Sequence, residues 1–325
     1  MNFSRRMCLS ALCLAAAFPV AGVAQAGDFP QRPITIVVPT APGGGNDAMA
    51  RILAQRMGEE LKQTIVVENK PGANGAIASM HVARAKPDGY TLLFGYIATH
   101  AISPAMQKLN YDPVKDFAPI GDVASSPTLL VVNNDLPVKS VDELIAYAKD
   151  PANQVNYASA GNGTAPHAAG ALFNMATGAK MMAIPYKGSN PAMMDTISGT
   201  TQVMFPSLFS AAPHIRSGNV KGLAVAGERR TDVFKDLPTL KELGVDVSVD
   251  QWYAIFAPAG TPPEIVQVLN KALNTSLNDP EVTEKFTAQG AFVQTSTPEG
   301  LGQRVEQDLE KWKSVVKHMG LDAEQ

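Results

Sequence analysis

The strongest constraint on this chain is a rhythm: short β-branched runs alternate with stretches whose apolar residues recur every three or four positions. Ile34-Thr35-Ile36-Val37-Val38 reads as a strand, and a helix starting near Asn46 carries Met49, Ile52, Leu53 and Met57 on one face. Thr64 to Val67 reads as a second strand, Asn74 to Ala85 as a second helix, and Tyr90 to Phe94 as a third strand behind an Asp88-Gly89 turn. Alternation of this kind predicts a parallel sheet covered by helices on both faces. The rhythm resumes at Leu129–Val132, with a helix capped by Ser140 and running through Lys149. Strands at 155–158, 181–184, 202–205 and 220–225 then alternate with helices at 164–177, 190–198 and 208–217. A strand at 248–256 follows, and the prolines of Pro258 to Pro263 start another helix. Leu301, Val305, Leu309, Trp312, Val316 and Met319 form one stripe on a final helix. About ten strands overfill one sheet, so two α/β domains are predicted. No Pro/Ser linker separates them, which fits domains joined by crossing strands near residues 118–132 and 245–256, with the C-terminal helices returning to the first domain.

The first 26 residues read as a leader. Arg5 and Arg6 form a positive start, Leu9 to Val20 is apolar, and Ala24-Gln25-Ala26 makes an A-x-A cleavage site. About a dozen apolar residues are too few to cross roughly 30 Å of hydrocarbon. Ser4-Arg5-Arg6 resembles a twin-arginine signal, but Cys8 stands where that pattern prefers a larger apolar residue, so the Sec route is expected. Cleavage would remove both cysteines (Cys8 and Cys13), and with them disulfides, thiol catalysis and thiolate ligation. The whole chain has a net charge of −3, and 18% of its residues are charged. No basic excess favours nucleic acid. The expectation is an exported, periplasmic protein that is not inserted in the membrane, and export takes it away from cytoplasmic ATP and NAD(P)H.

Chemistry concentrates in two glycine loops. Pro39-Thr40-Ala41-Pro42-Gly43-Gly44-Gly45-Asn46-Asp47 joins the first strand to the first helix. Glycines there let backbone N–H groups turn inward, and the helix start adds unpaired donors with partial positive charge. Together they can cradle an anion without a cationic side chain. Asn46 or Asp47 is expected to cap the helix. A plain tight turn explains the segment less well, because three consecutive glycines exceed what a turn needs. Gly43 to Ala48 also satisfies G-x-G-x-x-G/A, with Glu68 placed as a ribose acid would be. Prolines 39 and 42 lengthen the turn against that fingerprint, and export opposes it, so the dinucleotide reading is rejected. The second loop, Tyr157-Ala158-Ser159-Ala160-Gly161-Asn162-Gly163-Thr164, again links strand to helix. Alone it reads as a turn; paired with the first it implies a ligand gripped from both sides of a cleft.

Catalytic patterns are poor. Ser159 lacks the G-x-S-x-G frame. His81, His100, His167, His214 and His318 show no metal spacing, and His100 and His167 read as capping or buried hydrogen-bonding residues. No enzyme activity, cofactor or metal is expected.

Several segments carry a family resemblance. Arg32 to Pro39 followed by Ala41-Pro42-Gly43-Gly44-Gly45 and Asp47 resembles the tripartite tricarboxylate transporter substrate-binding proteins, the Bug family. Val67 to Ala73, Pro87 to Leu93, Ala98-Thr99-His100-Ala101, Tyr111-Asp112-Pro113 with Lys115 to Ile120, Pro185-Tyr186-Lys187-Gly188 and Ala257 to Pro262 belong to the same pattern, in order along the chain. The resemblance implies a periplasmic binding protein type II fold, two α/β lobes joined by two crossing strands. Lobe 1 would comprise 27–127 and 252–325, and lobe 2 residues 128–251. It implies pincers around one ligand carboxylate: Thr40, Ala41, Gly44, Gly45, Asn46 and Asp47 in one loop, Tyr96, Thr99 and His100 in the other. It implies second-lobe contacts at Ser159, Gly163, Thr164, Tyr186 and Ser207. Pro206 stands where many members carry an aspartate, which would remove the partner of a ligand amine. The implied function is a monomeric receptor delivering a small organic carboxylate, dicarboxylic or aromatic, to membrane permease subunits of the tripartite tricarboxylate type. Presentation of the ligand to a sensor kinase is the first alternative, and an exported enzyme acting on carboxylates is the second.

Overall fold

The computed structural model describes residues 29–319, so the leader read at residues 1–26 lies outside the described residues. β1 (Ile34–Val38) is buried almost throughout, as its unbroken β-branched run requires in the interior of a covered sheet. β2 (Ile65–Asn69) forms the edge and alternates between half-buried and exposed positions. β3 (Thr91–Tyr96) lies on the other side of β1, and both neighbours run parallel to it, Ile34 against Ile65 and Ile36 against Leu92. α1 (Gly45–Leu61) and α2 (Ala76–Ala83) make the connections. After β3 a π-turn (Ala98–Ile102) and the short α3 (Ser103–Met106) lead to β4 (Phe117–Pro127).

The second sheet holds β5 (Leu129–Asn133), β6 (Asn156–Ser159), β7 (Met182–Pro185), β8 (Val203–Met204) and β9 (Val220–Val225), in the order β7-β6-β8-β5-β9. Its helices are α4 (Val141–Lys149), α5 (Ala165–Thr177), α6 (Ser189–Ile197) and α7 (Leu208–Arg216). Ser140 caps α4 by accepting from the Glu143 amide. The chain returns on β10 (Asp250–Pro258) and finishes with α8 (Pro263–Leu277), α9 (Pro280–Thr287), β11 (Phe292–Val293) and α10 (Pro298–Met319).

The first sheet has the order β11-β4-β10-β3-β1-β2. The expectation of a wholly parallel sheet is corrected here: β10 pairs antiparallel with both β3 and β4, and β5 pairs antiparallel with β8 and β9. The strands that travel between the sheets cause this, since one must leave and the other return. Thr128 separates β4 from β5, its amide donating to the Val249 carbonyl and its carbonyl accepting from Ala226. The outward and returning segments therefore lie side by side at a two-chain crossing.

On α10, Leu301, Val305, Trp312 and Val316 are buried, each contributing about 1.5–3 kcal/mol of transfer free energy. Arg304 of that helix pairs with buried Asp122 of β4 at 2.7 Å, and the Trp252 indole donates to Asp308. The C-terminal helix is thereby tied to the first sheet rather than to the second.

Candidate ligand-binding cleft

The first glycine loop is held by one buried carboxylate. Asp47 accepts from the Gly43 amide at 3.0 Å, Arg51 Nε at 3.1 Å and Asn69 Nδ2 at 2.9 Å. Asn69 also donates to the Thr40 carbonyl, so the end of β2 anchors both ends of the loop. Burial alone would raise the Asp47 pKa, but the hydrogen bonds from Arg51, Gly43 and Asn69 outweigh it and hold the carboxyl below its ordinary value. The expected side-chain cap is corrected: the N-cap of α1 is Gly44, with no side-chain cap, and Asp47 bonds backward into the loop. With a glycine at the cap, the helix's first amides have no local acceptor. Among the described residues the amides of Gly44, Gly45 and Asn46 donate to no protein group. Thr40 Oγ1 and Asn46 Nδ2 are also buried without a partner. Unsatisfied buried polar atoms are uncommon in folded proteins, and two of the five such side-chain atoms among the described residues lie at this turn.

The second expected pincer divides into wall and support. Tyr96 faces the cleft, whereas Thr99 and His100 are fully buried and do not line it. Thr99 Oγ1 lies 2.9 Å from the Tyr96 carbonyl, 3.2 Å from the Tyr96 amide and 2.8 Å from His100 Nδ1. All three contacts are satisfied if Thr99 donates to the Tyr96 carbonyl and accepts from the Tyr96 amide and from a proton on His100 Nδ1. His100 Nε2 is then a buried acceptor without a partner. The ring stacks on Phe256 at 3.9 Å, and burial pushes its pKa down to about 3. His100 is therefore a neutral core residue behind the cleft.

In the second glycine loop the hydroxyls turn inward. Ser159 Oγ accepts from the Gly161 amide, Thr164 Oγ1 donates to the Gly161 carbonyl at 2.6 Å, and the Gly163 amide donates to His167 Nδ1. Ser207 caps α7 by accepting from the Ser210 amide. Ser159, Gly163, Thr164 and Ser207 are buried or held in local turns and do not line either of the two cavities beside the first loop. Tyr186 does line it, its hydroxyl donating to Asp195 at 2.7 Å.

Two cavities flank the first loop. One, of about 60 Å³, lies between Thr40 and Tyr96 on one side and Ala160, Tyr186, Lys187 and Gly188 on the other. The second, of about 110 Å³, separates Gly43–Gly45 from α6 and α7, where Asn190, Met193 and Phe209 face it. Neither Ala41 nor Asp47 lines these spaces; the Ala41 amide faces Gly188, where a Cβ would stand 3.4 Å away. Elsewhere the two sides touch: Ser103 Oγ donates to the Gly163 carbonyl at 3.0 Å, and a Cβ on Gly161 would fall 2.2 Å from Asn74 Oδ1.

Asn74 belongs to a wall segment that the sequence reading missed. Gly72, Ala73, Asn74 and Gly75 all have positive φ, at 128°, 45°, 55° and 94°. For Ala73 this is a strained conformation. The Pro71-Gly72 and Asn74-Gly75 dipeptides carry the signal for this turn, and the helix expected from Asn74 begins only at Ala76.

Two sheets joined at a double crossing, with unpaired amides facing the space between them, define a two-lobed solute receptor of the periplasmic binding class. Comparison with known proteins gives the particular family. The tripartite tricarboxylate transporter family receptor pattern, TctC, matches residues 49–321. Protein BugT of Bordetella pertussis is 36% identical over 323 residues, covering 98% of this chain and 99% of its own. The structure of the periplasmic binding protein BugD is 37% identical with a TM-score of 0.88, covering 91% of this chain and 100% of that one. R. palustris Rpa4515, solved with adipate, is 35% identical with a TM-score of 0.87 over 90% of this chain and 99% of its own. The chain belongs to the tripartite tricarboxylate transporter receptor family, whose members are periplasmic solute receptors. Among the described residues no helix is long and apolar enough to cross a membrane.

Proposed function

We propose that this protein is a receptor that closes on a small organic acid without an amino group and delivers it to permease subunits of the tripartite tricarboxylate type. The observation that carries the reading is the cluster of unpartnered donors at Thr40, Gly44, Gly45 and Asn46 on the face of one lobe opposite the other. A carboxylate accepts several such bonds at once, and each is charge-assisted. Adipate, present with Rpa4515, is an acid of this kind. Neither cavity is lined by an Asp or Glu that could pair a ligand ammonium. Residues 1–26 would direct export by the Sec route, and the receptor would act as a monomer with no cofactor. Lobe 1 (27–127 with 252–325) and lobe 2 (128–251) would move as rigid bodies about the crossing at Thr128.

Calorimetry with adipate, succinate and benzoate against aspartate and glutamate tests the ligand class. Binding of one or more of the first group is expected; tight binding of the amino acids alone overturns it. Uptake of the bound acid by cells should fall when the receptor gene is deleted. X-ray scattering should contract on saturation, and superimposable curves would sink closure.

A further inference from the structure

We propose that Ser103 and Gly163 form an interlobe latch that sets how long the receptor holds its ligand, acting from outside the ligand cavities; this rests on the receptor reading above. The observation is a hydrogen bond between the lobes that borders neither cavity. Ser103 Oγ, on α3, donates to the Gly163 carbonyl of the second glycine loop at 3.0 Å. Both residues are buried, and neither lines the two spaces beside the first loop. Among the described residues the Gly163 carbonyl accepts from no other group.

Local structure on both sides sets up the bond. A helical serine commonly bonds back to the carbonyl four residues before it. For Ser103 that carbonyl belongs to Thr99, and the Tyr111 hydroxyl already donates to it at 2.7 Å. The π-turn Ala98–Ile102 sets the start of α3, and such turns are rare and recur at functional sites. On the other lobe Gly163 has a φ of +79°, and a Cβ there would fall 2.7 Å from Ser103 Oγ and 3.3 Å from Ser103 Cα. A glycine allows both the left-handed conformation and the close approach of the two backbones.

The bond matters in one state of the receptor and not in the other. When the lobes part, the hydroxyl and the carbonyl each regain water. When the lobes meet, both groups are buried and each is the other's partner. Removing the hydroxyl therefore leaves a buried acceptor unpaired in the closed form alone. Ligand enters the open form, which the bond does not hold together. The latch thus acts on release and leaves capture unchanged.

Stopped-flow binding of adipate, succinate and benzoate to the full chain tests this. Ser103→Ala should raise the off-rate about 3- to 10-fold and leave the on-rate within about twofold of native. Because Ser103 lies off both cavities, every acid that binds should lose the same factor. The unliganded variant should melt where the native chain does. Ser103→Cys keeps the volume and donates only weakly, so it should release as fast as Ser103→Ala, and it carries the test if the alanine variant melts early. An off-rate unchanged in both variants, a loss that differs among the acids, a slower on-rate alone, or early melting of both variants overturns the latch. Absence of binding by any of the three acids sinks the carboxylate reading and this inference with it.

Discussion

The two glycine loops share a pattern of strand, small residues and helix, yet the fold uses them in opposite ways. In the first, the holding group comes from outside the turn's own hydroxyls: Asp47 and Asn69 pin Gly43 and Thr40 and leave the following amides unpaired. In the second, Ser159, Thr164 and His167 bond back to Gly161 and Gly163, so its hydroxyls are spent inside the loop. One loop is a donor surface and the other a docking surface that meets Ser103 and Asn74. The same strand–glycine–helix pattern thus serves different local bonding in the two loops, which spacing alone does not reveal.

The largest test of that contrast is Gly161→Ala. Its φ of +124° suits glycine, and the added methyl would meet Asn74 across the cleft. Closure should become unfavourable and apparent ligand affinity should fall about 100-fold, since only the closed fraction binds tightly. Asn74→Gly in the same chain should recover part of the loss; no recovery would locate the damage in the loop's own backbone.

A smaller effect is expected on the donor side. Asp47→Ala frees the Gly43 amide and leaves Arg51 without its partner, costing about 1–3 kcal/mol by denaturant unfolding, with a matching loss of affinity. Because the Asp47 pKa is lowered by folding, its stabilisation is fully present above the unfolded value and lost as pH falls through the folded one. The native chain should lose stability below about pH 4 more steeply than Asp47→Asn does. Parallel acid profiles would mean the carboxylate does not hold the loop.

Next comes a pair of hydroxyls. Thr40→Val removes an unpartnered group at the cleft and should weaken carboxylate binding about 3- to 10-fold with little change in melting. Thr164→Val removes a hydroxyl bonded to Gly161 behind the wall and should cost about 1 kcal/mol of stability with a smaller change in affinity. Reversed outcomes would exchange the roles of the two loops.

Most of the fold was legible because it depends on periodic burial: β1, α4 and β9 fall where β-branched runs, a Ser140 cap and a short strand between helices put them. Antiparallel pairing at β10 was not, since direction is decided by which strand carries the chain back between sheets. The resemblance pointed to loops that the fold brings to the space between the two sheets, but it could not tell which side chains face that space and which lie behind it. Ser159, Thr99 and Thr164 looked like ligand groups by chemistry, and their hydroxyls close local turns instead. Which way a short hydroxyl points depends on neighbours one or two residues away in a non-helical turn, and spacing does not encode that.

His100 gives the smallest expected effect and the cleanest separation of wall from support. A histidine contacting a carboxylate would be favoured as a cation, and affinity would climb as pH fell through its ordinary value near 6.5. Here the ring is buried against Phe256, Phe117 and Trp252, and its pKa is pushed down to about 3. Its neutral form persists across the working range. Affinity for a fully ionised ligand should therefore vary less than about twofold from pH 6.5 to 8. A rise of tenfold or more over that interval on acidification would put a titrating imidazole in the cleft; if it survived His214→Gln, which removes the histidine beside the first loop, it would move His100 from the core to the ligand.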